Sequence, residues 1–251
     1  MLRFRVFCVA LAGVAFAALV SAQQGPDLKA VIKKAIEAHG GEQNLAKYKA
    51  GVSKFKGTIE LGPVTADVTG ETSLQKPDKV KNVLNLDFSG KKLELITVFN
   101  GKQLWVNSMG QTKEVDDEKI LNAAREEMQI EGAGSLSDFL KEPYELNALG
   151  ESKVKDKAAI GIRVSKKGQR DFNIFFDKKT GLVVKTEMRT LNAMTMQEIT
   201  QEKFVLEYQD KAGMKIAKRV EIQRDGKPFM EIEITDVQAL EKLDDSVFAK
   251  P

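Results

Sequence analysis

KVKNVLNLDFSGKKLELITVFNGKQLWVN, residues 79–107, alternates apolar and polar positions through two successive runs. Leu84, Leu86 and Phe88 fall on one side of the first run, and Leu93, Leu95 and Phe99 on one side of the second. A period of two is the mark of a strand, because successive side chains of an extended chain point to opposite faces. Asn100-Gly101 then reads as a two-residue hairpin signal of the type I′ kind, whose central residues both need positive φ. The stretch is therefore expected to form strands over 79–88, 91–99 and 102–107.

The same pattern extends in both directions. Upstream, 52–61 and 65–75 read as strands, with Phe55, Ile59 and Leu61 on one face. Downstream come 144–151, 157–166, 170–177, 182–191, 195–208, 214–224 and 228–238, the last with Met230, Ile232 and Ile234 on one face. Asp225-Gly226 is a second two-residue turn signal, and longer polar turns stand at 177–181 and 210–213. Short turns pair consecutive strands antiparallel, and crossover helices for a parallel sheet are missing. The fold class is α+β, mainly β: a large antiparallel sheet of about 11–12 strands, too wide to stay flat, which twist should curl around a concave face.

Helical segments are available to cover that face. Leu28, Val31, Ile32, Ala35 and Ile36 recur at helical spacing, with Asp27 as N-cap and Gly40-Gly41 as stop. A short helix is expected over 42–48. Between the two strand groups, 116–130 reads as a helix with Ile120, Leu121, Ala124 and Met128 on one face, followed after Gly132-Ala133-Gly134 by a helical piece at 135–141 that carries Phe139. Pro143 ends it.

The N-terminus has a different character. Arg3 and Arg5 precede an apolar run from Val6 to Val20, fifteen residues long and short of the roughly 20 that span a bilayer as a helix. Val20-Ser21-Ala22 supplies small residues for cleavage, so residues 1–22 read as a signal peptide and 23–251 as one domain, periplasmic or secreted. Cleavage removes Arg3 and Arg5 and no acid, which takes the 39 basic residues to 37 against 36 acidic ones. A balanced, interspersed surface excludes nucleic acid as a partner. The single cysteine, Cys8, leaves with the signal peptide, so the mature chain forms no disulfide and carries no lipid on a cysteine.

The residues of catalysis are sparse. His39 is the single histidine, and beside Gly40-Gly41 it reads as a helix C-terminus, where a partly positive imidazole is favoured. Asp116-Asp117 and Asp244-Asp245 are adjacent pairs, better suited to capping a helix and a turn than to flanking a bond from opposite sides. Gly40-Gly41 lacks the Lys-Ser/Thr of a phosphate loop. No enzyme, metal site or cofactor is expected. A cavity is favoured instead, because the short helical pieces leave a wide sheet incompletely filled and the adaptable residues Met188, Met194, Met196 and Trp105 stand nearby.

Several passages in order resemble the periplasmic outer-membrane lipoprotein-sorting family, the LolA/LolB-like half-barrels. They are Ala38-His39-Gly40-Gly41-Glu42 with Leu45 and Gly57; Phe99-Asn100-Gly101-Lys102-Gln103-Leu104-Trp105-Val106; and Phe176-Asp177-Lys178-Lys179-Thr180-Gly181-Leu182. Tyr208 to Lys215 and Leu243 to Phe248 complete the set. The resemblance implies an open half-barrel whose concave apolar face, lidded by helices, shelters acyl chains. It implies as ligand a lipid or acylated lipoprotein and as further partner an envelope membrane protein. It also implies a regulatory basic residue on an early strand, the region of Lys54 and Lys56. The candidate lining is Phe55, Ile59, Leu84, Leu86, Leu95, Phe99, Trp105, Leu121, Met128, Phe139, Met188 and Met196. The competing reading is an envelope interaction or assembly module with a filled core.

Overall fold

The computed structural model describes residues 27–131, 136–192 and 195–251. The expected signal peptide at 1–22, Gly132-Ala133-Gly134, Ser135 and Met194 lie outside the described residues. Two helices open the described chain, α1 (Leu28–Ala38) and α2 (Gly41–Lys47). The Asp27 carboxylate caps α1 by accepting from the amides of Lys29 and Ala30, at 3.0 and 3.2 Å. Between the helices Gly40 has φ +119°, and a Cβ there would lie 2.5 Å from the Gly213 carbonyl oxygen. Glycine is thus required on both counts.

Six strands follow: β1 (Ala50–Leu61), β2 (Val64–Gln75), β3 (Lys79–Phe88), β4 (Lys91–Phe99), β5 (Leu104–Ser108) and β6 (Gln111–Val115). Helix α3 (Glu118–Ile130) and a 3-10 turn at Asp138–Leu140 lead to the second group. That group is β7 (Tyr144–Val154), β8 (Lys157–Lys166), β9 (Phe172–Asp177), β10 (Val183–Leu191), β11 (Glu198–Lys211), β12 (Met214–Arg224) and β13 (Lys227–Leu240). Among the described residues the sheet thus has 13 antiparallel strands, one more than the sequence suggested. The addition is β6, and the second helical piece is one 3-10 turn.

Neighbours run β6-β5-β4-β3-β2-β1-β13-β12-β11-β10-β9-β8-β7, so two meanders join where the first strand meets the last. Residues 50 and 240 are partners in that join, as are Phe55 and Ile234. The sheet is curved and unclosed. Bulges at Lys54/Phe55, Val205/Glu207 and Ala148/Gly150 add local bend. The turns differ in kind. Asp225 and Gly226 both have positive φ, 49° and 72°, in the expected two-residue loop. At the other signal β4 and β5 are joined by four residues, because the Asn100 side chain accepts from the amides of Lys102 and Gln103 and makes an Asx turn.

Consecutive strands β6 and β7 are opposite edges of the sheet, so the chain between them must cross its open side. Helix α3 does so on the concave face. Its apolar side, Leu121 and Met128, packs on Phe99 and Leu104 with Leu74 and Val80 beside them. Its polar side reaches the other meander. Glu126 accepts from Arg170 at 2.9 Å, Glu127 from the Thr190 hydroxyl at 3.1 Å, and Glu131 from Lys203 at 2.9 Å. Helix α1 covers that second meander, with Ile32, Ala35 and Ile36 buried among Ile162, Val164, Ile174 and Phe176. Burying each such large apolar side chain contributes about 1.5–3 kcal/mol.

Candidate functional site

Between the two covered regions the concave face is left partly empty. A cavity of about 320 Å3, partly open to solvent, lies over the join of β1 and β13 and extends across β2 and β10 to β12. Its roof is made by His39, Leu45 and Tyr48 on one side and by Ile130, Leu136 and Phe139 of the crossing segment on the other. The floor explains the space. Ala50, Gly51, Ser53, Ala217 and Ala239 all line it, and 51 and 239 are direct partners across the join. Small side chains on the central strands leave room that the helices do not enter. Larger apolar residues, Leu74, Val205, Ile216, Ile234 and Val237, form the walls.

The roof is fixed by a buried polar chain. His39 caps α1 and is 2% exposed, with Nδ1 donating to the Ala35 carbonyl at 2.8 Å. Nε2 stands 3.3 Å from the Tyr208 hydroxyl, which donates to the Val183 carbonyl at 2.6 Å. The helix-end position matches the sequence reading and the charge does not, since burial lowers the His39 pKa and the backbone acceptor only partly offsets it. Desolvation favours the neutral imidazole over the charged form. Burial likewise raises the Tyr208 pKa.

Ionisable groups gather where α3 ends. Lys76 and Lys203 line the cavity together with Glu131, and Lys203 pairs with Glu131. Lys76 is partly exposed as a residue, yet protein atoms crowd its amino group, and burial pulls its pKa down to about 8 against the fields of Asp138 and Glu131. Burial also raises the pKa of Glu127, which sits one turn back on α3 and accepts from Thr190. Among the described residues no group of three or more His, Cys, Asp or Glu is placed to hold a metal. No helix among them is long and apolar enough to cross a membrane.

Of the twelve residues expected in the lining, Phe139 lines this cavity and the other eleven do not. Phe55, Ile59 and Leu86 are buried together on the concave face, with Leu84 packed against them and Leu95 opposite Leu84. Among the described residues no helix takes part in that cluster; Phe88, Phe229 and Met230 pack on it, so this end of the trough is filled by the sheet's own side chains. Phe99, Leu121 and Met128 form the contact under α3, and Met188 is buried in the α1 core. Trp105 is on the opposite, convex face. It pairs with Val98 rather than Phe99, packs on Phe248 and donates to Glu114 at 3.3 Å. Met196 is 42% exposed in the β10–β11 connection. Lys54 and Lys56 flank Phe55 and therefore point to the convex side, where Lys56 pairs with Glu233 at 3.5 Å. Neither faces the helices.

The same architecture occurs in solved proteins. One is a DUF1329 family protein from Desulfovibrio piger, at 12% identity and TM-score 0.58, with 88% of this chain and 96% of that chain covered. A LolA superfamily protein from Nitrosomonas europaea aligns at 10% identity and TM-score 0.55, covering 88% and 97%. A putative outer membrane lipoprotein-sorting protein domain from Vibrio parahaemolyticus aligns at 12% identity and TM-score 0.54, covering 88% and 96%. No family model and no curated protein matches the chain in sequence. The likeness to the lipoprotein-sorting half-barrels holds at the level of fold.

Proposed function

We propose that the protein is a non-enzymatic periplasmic carrier that shelters an acyl chain of a lipid or lipoprotein in the cavity over the β1–β13 join. The observation that carries this reading is an apolar space of about 320 Å3 floored by small residues and roofed by a segment that crosses from one sheet edge to the other. That volume lies at the lower end of the roughly 300–1,000 Å3 of ligand pockets. An acyl chain needs no directional partner, since each methylene taken from water contributes about 0.8 kcal/mol. The shared fold of the lipoprotein-sorting structures supports the same reading.

The alternative, an assembly module with a filled interior, is favoured by the Phe55 end of the trough alone. Mature protein purified from its own envelope and examined by native mass spectrometry is expected to carry lipid, and the delipidated protein to bind a fluorescent fatty acid. Protein that arrives empty and binds no apolar chain would refute the carrier.

A further inference from the structure

The charge around the cavity is not that of the rest of the surface. The chain beyond the signal peptide holds nearly equal numbers of basic and acidic residues. Among the described residues, the lining holds lysine at 49, 76, 203 and 215 and a single acid, Glu131. Two of these lysines contribute little. Lys215 is paired with Asp210 at 2.7 Å in solvent, and Lys49 is exposed. The other two are half-buried. Lys203 pairs with Glu131, and the same carboxylate acts on Lys76. Asp138 adds to the field at Lys76 from outside the lining, where it is 60% exposed and shared with Lys141. Among the described lining residues, two ammonium groups therefore stand with one carboxylate beside an apolar volume.

We propose, resting on the carrier reading above, that the ligand is an anionic amphiphile, an acyl chain whose carboxylate or phosphate head is held by Lys76 and Lys203 at the cavity mouth. A head group with one negative charge balances the excess ammonium, and its tail runs over Gly51 and Ala239. Crowding disfavours the charged Lys76, and an anion bound beside it reverses that effect. Charge-assisted hydrogen bonds of this kind are about twice as strong as neutral ones. A neutral head brings no charge to this side of the cavity and gains no ion pair from the two lysines.

The test compares three probes of one chain length, dodecanoate, dodecyl phosphate and dodecanol, with inorganic phosphate as a head without a tail. On the wild-type protein at least one of the two anionic probes is expected to bind roughly tenfold more tightly than the alcohol, and inorganic phosphate weakly. The tighter anion tells a fatty acid from a phosphate-bearing lipid. Lys76→Met and Lys203→Met are each expected to reduce the preference for anion over alcohol while the alcohol still binds, and Lys76→Arg to retain it. Alcohol bound as tightly as both anions, or a preference that survives both methionine substitutions, overturns the anionic head and leaves the carrier standing. Failure of every probe with a tail, the alcohol included, overturns both.

Discussion

Replacing Ala239 by leucine tests both the emptiness of the cavity and its use. Ala239 lines the floor opposite Gly51, so the larger side chain enters the space directly. Leucine adds three carbons to alanine. If they displace the same length of acyl chain, the ligand loses about 2.4 kcal/mol at about 0.8 kcal/mol per methylene, a roughly 60-fold weaker Kd. The stability effect has a definite sign. Filling a real void stabilises by about 0.5–2 kcal/mol, whereas forcing the same atoms into a packed core costs about 1–3 kcal/mol. Calorimetric titration with the tightest acyl probe, alongside urea unfolding of the unliganded protein, reads both quantities. Unchanged affinity, or a loss of stability above 1 kcal/mol, would refute the reasoning.

Three further expectations concern what surrounds the cavity. Gly40→Ala is expected to cost about 2 kcal/mol or more in urea unfolding, because the residue combines φ +119° with a contact of 2.5 Å to the Gly213 carbonyl. Phe248→Ala, which empties the convex contact with Val98 and Trp105, should cost about 3–5 kcal/mol in stability and leave acyl-chain affinity unchanged. The His39 pKa is lowered on folding, so its stabilising contribution is present above the unfolded value near 6.5 and is lost as pH falls below it. Urea unfolding from pH 7 to pH 5 should therefore show falling stability, with a flatter slope in His39→Gln even though that variant is weaker throughout.

Much of the fold was legible because its signals are local. Period-two alternation marks twelve of the strands, and Asp225-Gly226 fixes its hairpin by backbone geometry alone. Strand β6, Gln111–Val115, gave no signal, because an edge strand with mostly exposed side chains needs no apolar alternation. Asn100-Gly101 misled since its side chain completes a longer turn. Even so, loops of two or four residues give the same parity, so hairpin geometry already excluded Trp105 from the face of Phe99.

The cavity was harder to read for two physical reasons. Its floor depends on β1 meeting β13, a pairing between residues some 180 positions apart that no local pattern specifies. Its marks are also small residues, Gly51, Ala217 and Ala239, while a search for greasy side chains finds the places that those chains fill. Phe55, Ile59 and Leu86 are conspicuous in the sequence for the same reason that they are buried against one another. His39 was placed by its neighbours, but its lowered pKa follows from tertiary burial.

A photoactivatable fatty acid with a diazirine near the end of its chain tests the central claim most directly. After irradiation and peptide mapping by mass spectrometry, label is expected on the cavity walls, at Leu74, Val205, Ile234 or Val237. Label confined to the convex surface around Trp105, or no label above that of a free-chain control, would contradict the account.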